Sequence, residues 1–165
     1  VSAVLVADRV YEAFANGSGA FSHGHTYMGH PVAAAAALAV QEAIAEDDLL
    51  AGVRRRGDHL RRTLEARFGN SPHVGDIRGR GLFLGLELVQ DRGSREPFDP
   101  SLQLHARLKQ TALRKGLMIY PSGGTIDGTR GDHILLAPPF ILTEDQSDEI
   151  VRRLEETIDE VIRAL

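Results

Sequence analysis

Residues 74–89, VGDIRGRGLFLGLELV, decide the fold class. Leu82, Leu84, Leu86 and Leu88 alternate with Phe83, Gly85 and Glu87. A period of two sends one set of side chains to a buried face and the other set to the opposite face, so the stretch predicts one or two strands. Its glycines, Gly79, Gly81 and Gly85, superficially resemble a dinucleotide loop. That fingerprint belongs between a strand and a helix, whereas these glycines run into the alternating strand. Small residues at a bulge or beneath a close backbone are the simpler account.

Working toward the C-terminus, residues 91–100 form a polar loop, and 102–115 an amphipathic helix closed by Gly116. Residues 117–120 predict a short strand, 121–133 a Gly-rich loop, and 134–137 another short strand. Thr143 and Gln146 have the spacing of a capping box. The helix they open carries Ile150, Val151, Leu154, Ile158, Val161, Ile162 and Leu165 on one face, with acids early and Arg163 late, as the helix dipole prefers. The order strand, helix, strand, strand, helix predicts a small α+β unit with a largely antiparallel sheet covered by helices.

Working toward the N-terminus, residues 49–68 place Leu49, Leu50, Val53, Leu60, Leu64 and Phe68 on one helical face, with Arg54, Arg55, Arg56, Arg61 and Arg62 around the other side. A solvated, salt-bridged face is the expected role of those arginines. Asp47 or Asp48 can cap this helix. The preceding helix, 32–45, contains a five-alanine run of high helix propensity, and Pro31 stands where its first turn begins. Residues 20–31, AFSHGHTYMGHP, are irregular and rich in His and Gly. Before them, residues 1–6 predict a short buried strand, and Asp8 stands at an N-cap ahead of Val10, Tyr11 and Phe14. Asn16, Gly17, Ser18 and Gly19 stop that helix.

Composition narrows the function classes. The 165 residues carry 19 Lys+Arg against 23 Asp+Glu, a net charge of -4, which argues against a general nucleic-acid binder. With 42% hydrophobic residues and no apolar run near the roughly 18 needed to span a membrane, the chain has a globular make-up, and a cytoplasmic location is expected. Cysteine is absent, which removes disulfides, thiolate metal sites and thiol nucleophiles. The chain begins with Val1, so a start upstream is expected. Lys109 and Lys115 are its only lysines, and neither has the buried context that a Schiff-base lysine needs.

Several residues are candidates for chemistry. His23, His25 and His30 lie within eight residues, but a catalytic zinc usually takes regular spacing or a carboxylate third ligand, and no metal site is assigned. Residues 22–27 could cradle an anion: Ser22, Thr26 and free N–H groups lie on a Gly-flanked turn, ahead of a helix N-terminus. A plain connecting loop is the competing account. Arg78 and Arg80 could clamp a carboxylate, or simply flank a strand.

Four segments, taken in order, resemble class III aminotransferases, pyridoxal-phosphate enzymes of fold type I that include amine and ω-amino acid transaminases. They are FSHGHTYMGHPVAAAAALA (21–39), IRGRGLFLGLEL (77–88), GLMIYPSGG (116–124) and GDHILLAPPFILTEDQSDEI (131–150). The resemblance covers essentially the whole chain. It implies an α/β fold: a remnant of the large cofactor-binding domain over 1–30, a helical connector over 31–73, and a C-terminal α+β small domain over 74–165.

The resemblance implies further that Thr26 donates its hydroxyl to the phosphate of pyridoxal 5′-phosphate held by the neighbouring subunit, with His25 beside it. A homodimer through residues 20–40 follows from that role. With Leu135 standing where some members carry a carboxylate-binding Arg, Arg130 or Tyr120 on the nearby loop is expected to take over substrate contact. The family's Schiff-base lysine is expected just upstream of Val1, so no catalytic residue is assigned here, and the chain alone is expected to be inactive. Where some members carry a carboxylate-binding Arg, two residues before the Ala of the APP motif, this sequence has Leu135. That favours an amine or ω-amino acid donor, with a 2-oxo acid as acceptor. An aminomutase is a sibling possibility. A non-catalytic interaction module derived from the family, and a metal module on the three histidines, are the competing functions.

Overall fold

The computed structural model describes residues 2–165, which form two compact units that divide between residues 47 and 48. The first unit holds two helices, α1 (Asp8–Ala15) and α2 (Pro31–Glu46). Val1, where the expected first strand begins, lies outside the described residues. Residues 2–7 form no strand, which corrects that expectation: an isolated extended segment needs a neighbouring strand to pair with its backbone groups. Asp8 is the first helical residue; Ala7 occupies the N-cap without a side-chain bond. Pro31 does open α2, where its missing N–H costs nothing, and His30 caps it by accepting the Ala33 N–H on Nδ1 at 3.4 Å. Neither helix buries a residue.

The second unit is built on a four-stranded antiparallel sheet of order β1-β2-β4-β3. Its strands are β1 (Val74–Arg80), β2 (Phe83–Leu88), β3 (Tyr120–Gly123) and β4 (Asp132–Leu136). The opening stretch of sequence is therefore a tight hairpin, with Arg80 opposite Phe83 and a two-residue turn of Gly81 and Leu82. Gly81 takes φ +56°, as a first turn residue with glycine's freedom does. Gly57 lets a helix lie directly on that turn, since a Cβ at Gly57 would sit 2.5 Å from the Gly81 carbonyl.

Three helices accompany the sheet: α3 (Leu49–Phe68), α4 (Leu104–Arg114) and α5 (Glu144–Arg163), with a short 3-10 turn at Pro100–Leu102 before α4. α3 packs on β1, α4 on β3 and β4, and α5 against both α3 and α4. The core between them joins Leu60 and Leu64 of α3, Leu84, Leu86 and Leu88 of β2, Leu108 of α4, Ile134 of β4 and Leu154 and Ile158 of α5. Each such side chain stabilises the fold by roughly 1.5–3 kcal/mol on burial. The period-two and helical patterns thus point into one core.

Three local expectations need correction. Asp48 stands at the N-cap of α3 but in a left-handed conformation and without a side-chain cap bond. α4 starts at Leu104, after the 3-10 turn takes up Leu102. β3 lies at Tyr120–Gly123 in place of 117–120; Pro121 fits there because β3 is an edge strand, where a missing N–H need not break a ladder. Leu117 and Ile119 are buried in the core without strand pairing. The expected capping box is present: Thr143 Oγ1 accepts the Gln146 N–H at 3.2 Å, and Gln146 returns a bond to the Thr143 N–H at 3.0 Å. The two compact units divide at residues 47/48, and Leu60 and Leu64 tie α3 into the second unit's core.

Candidate functional site

In the first unit, residues 20–30 have no regular structure apart from a turn over 26–29. The His25 carbonyl accepts the Met28 N–H at 2.9 Å and that of Tyr27 accepts the His30 N–H at 3.1 Å, which folds the segment so that Thr26 is exposed at the turn. An edge-to-face ladder holds the preceding residues: Phe14 of α1 meets Phe21 at 5.5 Å, Phe21 meets His23 at 5.7 Å, and His23 meets His25 at 5.0 Å. With His30 turned to cap α2, the three histidines do not converge, and no metal-holding cluster of His, Cys, Asp or Glu is found among the described residues.

The donor set of this loop suits an anion. Residues 20–31 contain no Asp or Glu, while Thr26 offers a hydroxyl and His25 a ring nitrogen at the surface. A phosphate group therefore meets donors and no opposing carboxylate, which is the fit that the phosphate of a pyridoxal cofactor requires.

In the second unit, Tyr120 opens β3 and pairs with Leu135 of β4. Arg130 lies in the loop that joins β3 to β4. Since Gly123 opposite Asp132 is the last pair of that hairpin, Tyr120 stands three residues, about 10 Å, down the arm from the loop. The structure does not bring these two candidates into contact. Arg130 donates from Nε to Asp127 Oδ2 at 2.8 Å, and Asp127 Oδ1 accepts the backbone N–H of Thr129 at 3.0 Å and of Arg130 at 2.8 Å. These bonds, led by the Arg130 N–H, hold the Asp127 carboxyl down at about 2, and the same pair raises Arg130.

Leu135 lies on the outer face of the sheet, away from the helices, with Gly85, Arg78, Glu87 and His133 around it. They line a shallow hollow of about 190 Å³. Arg78 is held there through Nη1 by Glu87 and Asp76 of its own sheet, each at 2.8 Å, so its charge is already paired and it stays firmly protonated. Arg80 is exposed at the end of β1. Neither lysine suits imine chemistry: Lys109 is exposed on α4, and Lys115 pairs with Glu160 at 2.8 Å.

The sequence reading missed two groupings. One is the partnership of Asp127 with Arg130, visible as the turn-forming run Asp-Gly-Thr-Arg. The other joins His105 of α4 to Asp132 of β4, with Nδ1 at 3.0 Å from Oδ1 and the His105 backbone N–H donating to the same oxygen at 3.2 Å. Twenty-seven residues separate these two, and no local pattern connects them.

Residues 1–158 match the family model for aminotransferase class-III. An uncharacterized aminotransferase of Schizosaccharomyces pombe is 42% identical over 165 residues, all of this chain and 36% of that protein. A transaminase from a marine Virgibacillus superposes with a TM-score of 0.86 at 33% identity, over 96% of this chain and 35% of its own. An amine transaminase from an uncultivated Pseudomonas species, solved with PLP bound, does so with a TM-score of 0.80 at 34% identity, over 93% and 33%. The chain spans about a third of the length of the curated relatives it matches.

Proposed function

The chain belongs to the class-III aminotransferase family, and from that premise we propose that it is the C-terminal portion of a transaminase that moves an amino group from an amine or ω-amino acid to a 2-oxo acid. The observation that carries this reading is the family match over residues 1–158. The acid-free donor loop around Thr26 and the absence of a cationic side chain at Leu135 support its particulars.

Pyridoxal 5′-phosphate, the cofactor of this family, supplies an electron sink for the donor's α-carbon. The chain's own residues hold and orient. Thr26 donates its hydroxyl to the cofactor phosphate, and His25 lies beside it as a second donor. The site served belongs to the neighbouring subunit of a homodimer formed through residues 20–40. The exposure of Tyr27, Met28 and Val32 in that region leaves apolar surface for such a partner to cover.

On the small domain, Arg130 receives the carboxylate of the 2-oxo acid through paired N–H groups. Tyr120 lines the approach from β3. Leu135 offers no charge to a substrate α-carboxylate, which leaves room for donors without one. The proton shuttle belongs to a lysine elsewhere in the full-length enzyme, since Lys109 and Lys115 lie outside any desolvated pocket.

The test is amine-dependent conversion of pyruvate to alanine. The full-length enzyme supplied with PLP is expected to turn over, and residues 1–165 alone are not. Turnover by the isolated chain, or none by the full-length enzyme, contradicts the proposal.

A further inference from the structure

The exit of α1 joins an asparagine to a glycine. Asn16 stands at the C-cap with φ -88° and donates its N–H to the Glu12 carbonyl at 2.8 Å. Glycine follows of necessity, since a Cβ at position 17 would stand 2.7 Å from the Ala13 carbonyl oxygen. The turn thus sets, directly after an amide side chain, the one residue type whose backbone nitrogen has no side chain to shield it.

Neither group is firmly held. Gly17 shares the Phe14 carbonyl with Gly19, and its N–H is the more distant donor, at 3.2 Å against 2.9 Å. Among the described residues no hydrogen bond holds the Asn16 side chain, and residues 16–19 are all exposed. α1 buries no residue, so its last turn opens at little cost. Asn70, the only other asparagine, supplies the contrast. Its successor, Ser71, carries a Cβ, donates its N–H to the Phe68 carbonyl at 2.9 Å and accepts the His73 N–H on Oγ at 3.3 Å. Phe68 belongs to the core, so that turn is fixed to a packed helix.

We infer that Asn16 is a site of spontaneous covalent modification: deamidation through a cyclic imide, with water as the only co-reactant. The Gly17 nitrogen loses its proton and bonds to the side-chain carbonyl carbon of Asn16, and the side-chain nitrogen leaves with that proton as ammonia. Water then opens the ring. Opening at the side-chain carbonyl gives aspartate; opening at the main-chain carbonyl leaves the chain running through the side chain, as isoaspartate. One water is taken up and one ammonia released, with no oxidation or reduction. While the ring is closed, Gly17 has no N–H left to give to Phe14. Either product puts a carboxylate at the C-terminal end of α1, where the helix dipole opposes it. Phe14 is also the first ring of the ladder that runs through Phe21 and His23 to His25, so the modification falls at the root of the segment that carries Thr26.

Peptide mapping by mass spectrometry tests this on the full-length PLP-loaded enzyme, sampled during incubation at mildly alkaline and at mildly acidic pH. The peptide containing Asn16 is expected to lose its amide and to appear in both isoaspartyl and aspartyl forms. Conversion is expected to be faster at alkaline pH, where the attacking nitrogen gives up its proton more readily. Asn70 is expected to remain an amide after most of Asn16 has converted. The Asn16→Gln variant, which would have to close a larger ring, is expected to keep its amide throughout. An Asn16 amide that survives as long as that of Asn70 overturns the inference. So does conversion to aspartate alone, which would mean direct hydrolysis without the imide.

Discussion

The two units use apolar residues in opposite ways. In residues 48–165 the leucines of α3, β2, α4 and α5 converge on one closed core, with Leu60, Leu64, Leu86, Leu108 and Leu154 fully buried. In residues 2–47 helix α2 has strong intrinsic propensity and buries nothing, while Val32, Leu38 and Val40 face outward. Propensity suffices to write a helix, but its stability in a protein comes from burying a face. The second unit therefore carries its own reason to fold, and the first leaves its apolar side chains at the surface. The residue assigned to the cofactor, Thr26, lies in the unit without a core, and the residue assigned to the substrate, Arg130, in the unit with one.

The sharpest way to break this contrast is to cut the same side chain in both units. Leu64→Ala is expected to lower the stability of the purified chain by about 2–5 kcal/mol, because it leaves a cavity between α3, α5 and the sheet. Leu38→Ala, at 60% exposure, is expected to stay within about 0.5 kcal/mol. Urea unfolding of the two variants decides, and equal losses would erase the distinction.

A smaller effect is expected at the capping box of α5. Thr143→Ala removes the acceptor for the Gln146 N–H and is expected to cost about 1 kcal/mol, read as a lower urea midpoint with an unchanged slope. A cost near zero would mean that α5 is held by its packing against α3 and α4 alone.

The smallest effect concerns pH and is confined to the β3–β4 loop. Asp127 is held at about 2, below its ordinary 3.8, by bonds that its ionised form accepts. A lowered folded pKa means that the loop's contribution is complete above about pH 4 and is lost as the pH falls toward 2. The carboxyl carbon resonance of Asp127 is expected to titrate near pH 2. A midpoint near 4 would mean that the bonds from Thr129 and Arg130 do not persist in solution.

Much of the second unit was legible because its signals are local and agree with one another. α3 runs over the residues that its apolar spacing marked, and Thr143 with Gln146 announced α5 by a four-residue pattern. The alternation in β2 pointed to its buried face. β3 was displaced by three residues because Pro121, Ser122 and Gly123 have the composition of a loop, and only its place at the sheet edge makes them a strand.

The expected strand at residues 1–6 shows the converse limit. Its composition is that of a strand, but pairing is a property of neighbours, and residues 2–7 have none. The candidate site divides in the same way. His25 and Thr26 stood out from a family pattern in the sequence, and Arg130 only from a departure from that pattern at Leu135. Asp132 and His105 meet only because β4 is laid beside the start of α4, which no spacing along the chain records.

On the function proposed above, the Thr26 loop supplies a phosphate contact that this chain does not use for itself. It is tested most directly by the dissociation constant of pyridoxal 5′-phosphate for the full-length enzyme with Thr26→Ala. One hydrogen bond to a charged group is worth roughly 1.5–3 kcal/mol, so the account predicts binding weakened about ten- to a hundred-fold. An unchanged dissociation constant would contradict the role assigned to Thr26.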